Sequence, residues 1–261
     1  MIKAVFFDID GTLVPFGEKR MPKSTVEGLD KLRSNGVKVF IATGRSPGNL
    51  KYLQSILDYD FDGFIAMNGQ YCFTKDLVIR EKCFDTESFP MLLKYLEEND
   101  VSCSFVELNY VYINRISERV MNIRRSLGAS VIYEPIDKPE RALTHKIYQL
   151  SAYTDKEKEK ELVKHFPGSK AVRWSPVFAD IIPEDGGKDV GISKVIEHFG
   201  IKREETMAFG DGGNDMDMLK YCNIGVAMGN AGDEVKAIAN HVTDNTDKDG
   251  IYKALKYFEL I

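Results

Sequence analysis

Near the start of the chain, two acids two residues apart follow a continuously apolar run: Lys3-Ala4-Val5-Phe6-Phe7 leads into Asp8-Ile9-Asp10-Gly11-Thr12. Carboxylates this close repel each other unless a cation or a shared proton intervenes. Placing them at the end of an apolar strand adds a desolvation cost. A hard divalent ion with oxygen ligands, magnesium above all, relieves both penalties. Gly11 permits a tight turn, and Thr12 offers a hydroxyl and a backbone N–H. A plain strand followed by an Asx-type turn produces the same residues without any chemistry, so this pattern needs company before it means more.

That company comes about 200 residues later. Gly210-Asp211-Gly212-Gly213-Asn214-Asp215 follows the apolar run Met207-Ala208-Phe209. Its glycines let backbone approach a ligand, and its two acids could complete the oxygen set that magnesium requires. As a bare turn, with Asn214 or Asp215 capping the next helix, it explains one residue and leaves the cluster unexplained. Thr43-Gly44-Arg45 follows a second apolar run and opens a helix, whose N–H groups favour anions; Thr43 is placed to bond a phosphoryl oxygen. Lys188 starts a helix, where a cation is unfavourable unless something anionic offsets it. Asn68-Gly69 reads as a turn after a third run.

The elements that must position these residues alternate. Short buried strands at Lys3–Phe7, Val37–Ala42 and Gly63–Met67 are separated by helical patterns starting at Pro22 and over Ser46–Leu57. Such alternation implies right-handed crossovers and a parallel sheet, with ligands beyond its carboxyl edge. From about Lys82 to Glu184 the strands read longer and more polar (Val101–Leu108, Val111–Ile116, Lys146–Tyr153, Lys170–Ile182), and Asn109-Tyr110 suggests a hairpin. This predicts an inserted α+β domain, 82–184, within a core formed by 1–81 and 185–261. After Gly186-Gly187 the first texture returns, with strands at Thr206–Gly210, Ile224–Met228 and His241–Thr243.

Composition narrows the function classes. The 261 residues carry a net charge of -5 with mixed signs, which gives no electrostatic case for nucleic acid. No apolar run approaches the roughly 20 residues that span a bilayer. The four cysteines are widely spaced without a CxxC pair, as expected for reduced thiols in the cytoplasm. No membrane or nucleic-acid partner is expected, and nothing in the sequence suggests an obligate protein partner, so a monomer is expected.

Taken in order, Asp8 to Thr12, Ala42-Thr43-Gly44-Arg45, Lys188 ahead of a helix, and Gly210 to Leu219 resemble the haloacid dehalogenase (HAD) superfamily of phosphohydrolases. The resemblance is to its Cof-like branch, which has a large α/β (type IIB) cap between the second and third motifs. Val226 to Ala231 and Asp249-Gly250 fit the same branch, and the resemblance covers essentially the whole chain. It implies an α/β fold with a Rossmann-like parallel core and an inserted cap acting as a specificity lid. It implies a magnesium-dependent phosphatase of small phosphorylated metabolites, sugar phosphates first, working through an aspartyl phosphate. Asp8 would be the nucleophile and Asp10 the general acid and base. Thr43, Gly44, Arg45, Lys188 and Asn214 would serve the phosphate or substrate. Magnesium would be held by Asp8, the backbone carbonyl of Asp10, Asp211 and Asp215, with Asp215 direct or one step removed. Trp174 and Arg45 are candidate substrate contacts. A phosphomutase or phosphotransferase shares these motifs, and a receiver-like phospho-accepting module shares several of them. The receiver reading leaves Asp10 and the insert of about 100 residues without a use.

Overall fold

The computed structural model describes residues 1–50, 57–127 and 133–261. In chain order the strands are β1 (Ala4–Phe7), β2 (Lys38–Ala42), β3 (Gly63–Ala66), β4 (Tyr71–Phe73), β5 (Val78–Glu81), β6 (Cys103–Val106), β7 (Val111–Ile113), β8 (Gln149–Ala152), β9 (Ser169–Val172), β10 (Ala179–Pro183), β11 (Thr206–Gly210), β12 (Ile224–Ala227) and β13 (His241–Val242). They form two sheets in two compact units. One unit comprises residues 1–45, 49–81 and 187–261, and the other comprises 46–48 and 82–186.

The first unit holds a sheet of order β13-β12-β11-β1-β2-β3-β4-β5. Its first six strands run parallel. Because successive strand residues point to opposite faces, each apolar run feeds two cores. Val5, Phe7, Ile41 and Phe209 pack with Leu29, Leu32 and Leu255 on one side. Ala4, Phe6, Phe40 and Ala208 pack with Ile192, Val195 and Leu219 on the other. Burying a phenylalanine this way contributes roughly 1.5–3 kcal/mol. Cross-strand pairs then set the register: Phe7 stacks on Phe209 and Phe6 on Phe40, each with ring centroids 5.0 Å apart. Phe7 lies level with both Phe209 and Ile41. The carboxyl ends of β11, β1 and β2 therefore come out side by side.

The edge beyond β3 departs from the expected parallel pattern. Residues 71–81 double back as an antiparallel hairpin, β4 and β5. These strands are three and four residues long, too short for their periodicity to stand out.

The second unit holds an antiparallel sheet of order β7-β6-β8-β10-β9. One face, with Phe105, Leu150 and Ile181, packs on Phe89, Leu92 and Leu96 of the helix Phe89–Glu98 and on Leu162 of the helix Lys156–Lys164. On the other face the Ser151 hydroxyl donates to Asp180 and the Ser104 hydroxyl to Glu134. The single expected strand Lys170–Ile182 is two strands, β9 and β10, paired antiparallel. The chain reverses over 173–178, where Pro176 has no N–H to continue a ladder. Trp174 packs edge-on against Phe178 in that turn, with centroids 4.9 Å apart. Most of the expected helix Ser46–Leu57 falls on 51–56, outside the described residues.

Candidate active site

Asp8, Thr43, Asn68 and Asp211 each follow the end of a parallel strand of the first unit, at the edge where open α/β sheets bind ligands. The centre of the arrangement is Lys188. Its ammonium donates to Asp8 Oδ1 at 2.7 Å and to Asp215 Oδ1 at 2.6 Å, and only 1% of the residue is exposed. The other oxygen of Asp215 accepts the backbone N–H groups of Asp211 and Gly212, at 3.0 and 2.9 Å. Asp215 thus ties the Asp211 loop to Lys188. The hydroxyl of Thr12 donates to Asp211 Oδ1 at 2.8 Å.

Two residues that sequence reasoning leaves without a role complete the frame. Asn230, in the loop after β12, donates to the Gly11 carbonyl at 2.9 Å and to Asp211 Oδ2 at 3.3 Å. Thr246, after β13, donates to the Gly11 carbonyl as well, and Asn230 Oδ1 accepts from the Thr246 backbone N–H. Gly11 itself leaves no room for a side chain: its φ is +86° and a Cβ would sit 2.3 Å from Asp211 Oδ2. Asn230 falls within the Val226–Ala231 stretch already noted. Thr246 stands among ordinary loop residues, with no local pattern to mark it.

Lys188 reaches the carboxylates because its helix, Lys188–Phe199, starts hard against the turn Met67–Gly69. Gly69 has φ +91°, and a Cβ there would lie 2.0 Å from the Gly187 carbonyl oxygen. Only glycine tolerates both conditions. Gly69→Ala is expected to lower unfolding stability by at least about 2 kcal/mol, since it adds a backbone penalty of roughly 1–2 kcal/mol to overpacking costs of similar size. Urea denaturation measures the loss. Activity is expected to fall with it, because relief of the clash moves the helix that carries Lys188.

The electrostatics follow from burial. Loss of solvent raises the Asp8 carboxyl well above its ordinary range; Lys188 pulls the other way, while Asp215, Asp211 and Asp10 add to the rise. Burial and the charge of Asp215 push Asp211 up to about 7, against the hydrogen bond from Thr12. Burial disfavours the charge on Lys188, but Asp215 and Asp8 outweigh it and hold the ammonium above its usual value.

Carboxylate oxygens of Asp8, Asp211 and Asp215 lie within 4.8 Å of one another. Counting Asp10 with its Arg45 partner, four carboxylates face two cations. With all four ionised, the excess of two negative charges is what one divalent cation cancels, and all-oxygen donors suit a hard ion. The residues therefore fit a divalent metal. The carboxylate of Asp10 stands apart from this cluster.

Two of the expected site residues have partners within the protein. Arg45, expected on phosphate or substrate, donates through Nε and Nη2 to the two oxygens of Asp10, both at 2.7 Å. Asn214, expected to serve the phosphate or substrate, donates to Asn68 Oδ1 at 3.2 Å. It lies in the short turn Gly213–Asp215, whose third residue goes to Lys188 and the Asp211 loop and whose second is left facing the Met67–Gly69 turn. Thr43 accepts the Arg45 backbone N–H through its hydroxyl oxygen, and Gly44 is half-buried between them.

Residues 5–255 match the haloacid dehalogenase-like hydrolase family. The chain belongs to that family. Among curated HAD relatives, it is 34% identical over 259 residues to YkrA of Bacillus subtilis (strain 168), described as a phosphatase, with 99% of this chain and 98% of that protein covered. Among solved structures, a HAD subclass IIB sugar phosphatase shares 42% identity at a TM-score of 0.89, covering 99% of this chain and 100% of that one. A member of a phosphoryl-transfer superfamily, studied for a trigonal-bipyramidal intermediate, shares 42% identity at a TM-score of 0.92 over the full length of both chains. The protein is accordingly a phosphatase of the HAD superfamily. Among the described residues, no helix is long and apolar enough to cross a membrane.

Proposed function

We propose that this HAD phosphatase hydrolyses small phosphorylated metabolites, sugar phosphates first among them, with magnesium and through a phosphoaspartate on Asp8. The observation that carries the reading is the position of Asp8: a buried carboxylate at a strand end, one oxygen held by Lys188 and the Asp211 and Asp215 carboxylates close by. The sugar-phosphate preference is supported by the likeness to the subclass IIB sugar phosphatase.

In the first step an Asp8 oxygen forms a bond to phosphorus while the bond from phosphorus to the ester oxygen breaks. Asp10 passes a proton to the departing alcohol. In the second step Asp10 takes a proton from water as that water's oxygen attacks the phosphorus of the acyl phosphate. Inorganic phosphate leaves, and the Asp8 carboxylate is restored. Splitting one displacement into two is the gain from covalent catalysis, and alternation of one group between acid and base gives it both halves. Lys188 and Thr43 hold phosphoryl oxygens, so positioning and charge neutralisation carry most of the rate, as in phosphoryl transfer generally. Magnesium would be held by Asp8, Asp211, Asp215 and the Asp10 backbone carbonyl. When bound, it supplies positive charge against the phosphoryl oxygens and the crowded carboxylates. Residues 82–184 are the part of the chain to which substrate specificity is assigned.

The test is phosphate release from a panel of phosphorylated metabolites, with magnesium and after chelation. Magnesium-dependent release with sugar phosphates at the top of the kcat/KM order is the expected result. Release unaffected by chelation overturns the metal requirement. Phosphate that reappears on an added alcohol instead of in solution makes the protein a phosphotransferase.

A further inference from the structure

The two cations of the site divide the carboxylates between them. Lys188 serves Asp8 and Asp215, whereas Arg45 serves Asp10 alone, among the described residues. The Arg45 contact is a fork on a fork, one nitrogen to each oxygen, the geometry that fixes orientation as well as charge. The arginine is itself anchored at both ends of its backbone. Its N–H donates to the Thr43 hydroxyl oxygen at 3.1 Å, and its carbonyl accepts from the Met67 N–H at 3.0 Å. Its guanidinium thus starts from a fixed point.

We infer that Arg45 is a positioning residue for Asp10: it aims the carboxyl that exchanges protons with the leaving alcohol and the incoming water. The inference rests on the acid/base reading of Asp10 given above. The Asp10 side chain is 40% exposed and that of Arg45 23%. An aspartate so exposed can hydrate without a partner, and ion pairs near the surface contribute little to stability. What it lacks without Arg45 is a single direction, because its side chain would distribute over staggered rotamers. A misplacement of about 1 Å in a reacting group costs on the order of 100-fold in rate. The fork also leaves chemistry possible: each carboxylate oxygen keeps a second lone-pair position. A proton can sit there while the guanidinium holds the other side.

The test compares two leaving groups in Arg45→Met, Arg45→Lys and Asp10→Asn, using glucose 6-phosphate, whose alcohol needs a proton to depart, and p-nitrophenyl phosphate, whose phenolate does not. Arg45→Met is expected to lower kcat on the sugar phosphate on the order of 100-fold with little change in KM. On p-nitrophenyl phosphate it is expected to leave the first-turnover burst of p-nitrophenolate nearly intact while steady-state turnover falls, because hydrolysis of the acyl phosphate still needs Asp10. Arg45→Lys restores the charge without the fork and is expected to stay low. Guanidinium ion added to Arg45→Met is expected to recover part of the sugar-phosphate rate. A p-nitrophenolate burst slowed as much as sugar-phosphate turnover, a rise in KM alone, or full activity in Arg45→Lys would overturn the inference. Asp10→Asn separates the two readings. If it spares the p-nitrophenolate burst while Arg45→Met does not, the acid/base reading stands and the positioning role falls. If Asp10→Asn affects neither substrate, the acid/base reading itself falls.

Discussion

Asp8→Asn is expected to abolish phosphate release, by ~10⁴-fold or more, as the loss of the proposed nucleophile requires, and the metal-free variant is expected to be more heat-stable than the wild type above neutral pH. The second effect follows from the first residue's environment. Burial holds the Asp8 carboxyl well above its ordinary range even with Lys188 alongside. Above the ordinary carboxylate range, the unfolded chain has lost a proton that the folded chain still keeps. Stability is therefore lost as pH rises through the folded value, at about 1.4 kcal/mol per pH unit for each proton of difference. Asparagine has no such proton, and its side-chain oxygen can still accept from Lys188. Calorimetric Tm values of metal-free wild type and Asp8→Asn between pH 5 and 8 check this: the two curves should diverge upward in pH, by a few degrees. Residual turnover in purified Asp8→Asn close to that of the wild type would remove Asp8 from the chemistry. Parallel Tm curves would show that its burial is not what shifts it.

Much of this is written in short stretches of sequence. The apolar runs before Asp8 and Asp211 read as strands because they bury both faces, and the residues that follow them are adjacent for that reason. What stays illegible depends on where the chain returns. The hairpin β4–β5 is two short runs whose edge position is decided by β3. Lys188 is recognisable as a cation at a helix start, but that Asp215 is its second partner follows from the approach of Gly187 to Gly69. Thr246 and Asn230 meet at the Gly11 carbonyl across more than 200 residues, a contact no local pattern encodes. Arg45 was legible as a charge at the site, yet its target is set by the Thr43 and Met67 backbone bonds that aim it.

The same reasoning makes Lys188→Met the sharpest test of how the site is held together. The variant keeps the volume and apolar stem of the side chain and removes the ammonium alone. Asp8 and Asp215 are then buried beside Asp211 with no cation against them. Breaking a buried pair by removing one partner typically costs about 3–5 kcal/mol. Part of that cost is escaped by protonation, so it must depend on pH. The acids, already raised at Asp8 and Asp211, move higher without Lys188, and the folded state holds protons that the unfolded state releases. The stability deficit of Lys188→Met against wild type should be small near pH 5 and approach its full size by pH 8, read from urea denaturation of the metal-free proteins. A divalent cation should narrow the deficit, since positive charge is what is missing, without restoring activity, since on the proposed mechanism a phosphoryl oxygen has lost its donor. Lys188→Arg should fail as well, because the ammonium occupies a fully enclosed space that a planar guanidinium does not fit. A deficit that is the same at pH 5 and pH 8 would mean that Lys188 is held for packing and that the carboxylates do not depend on its charge.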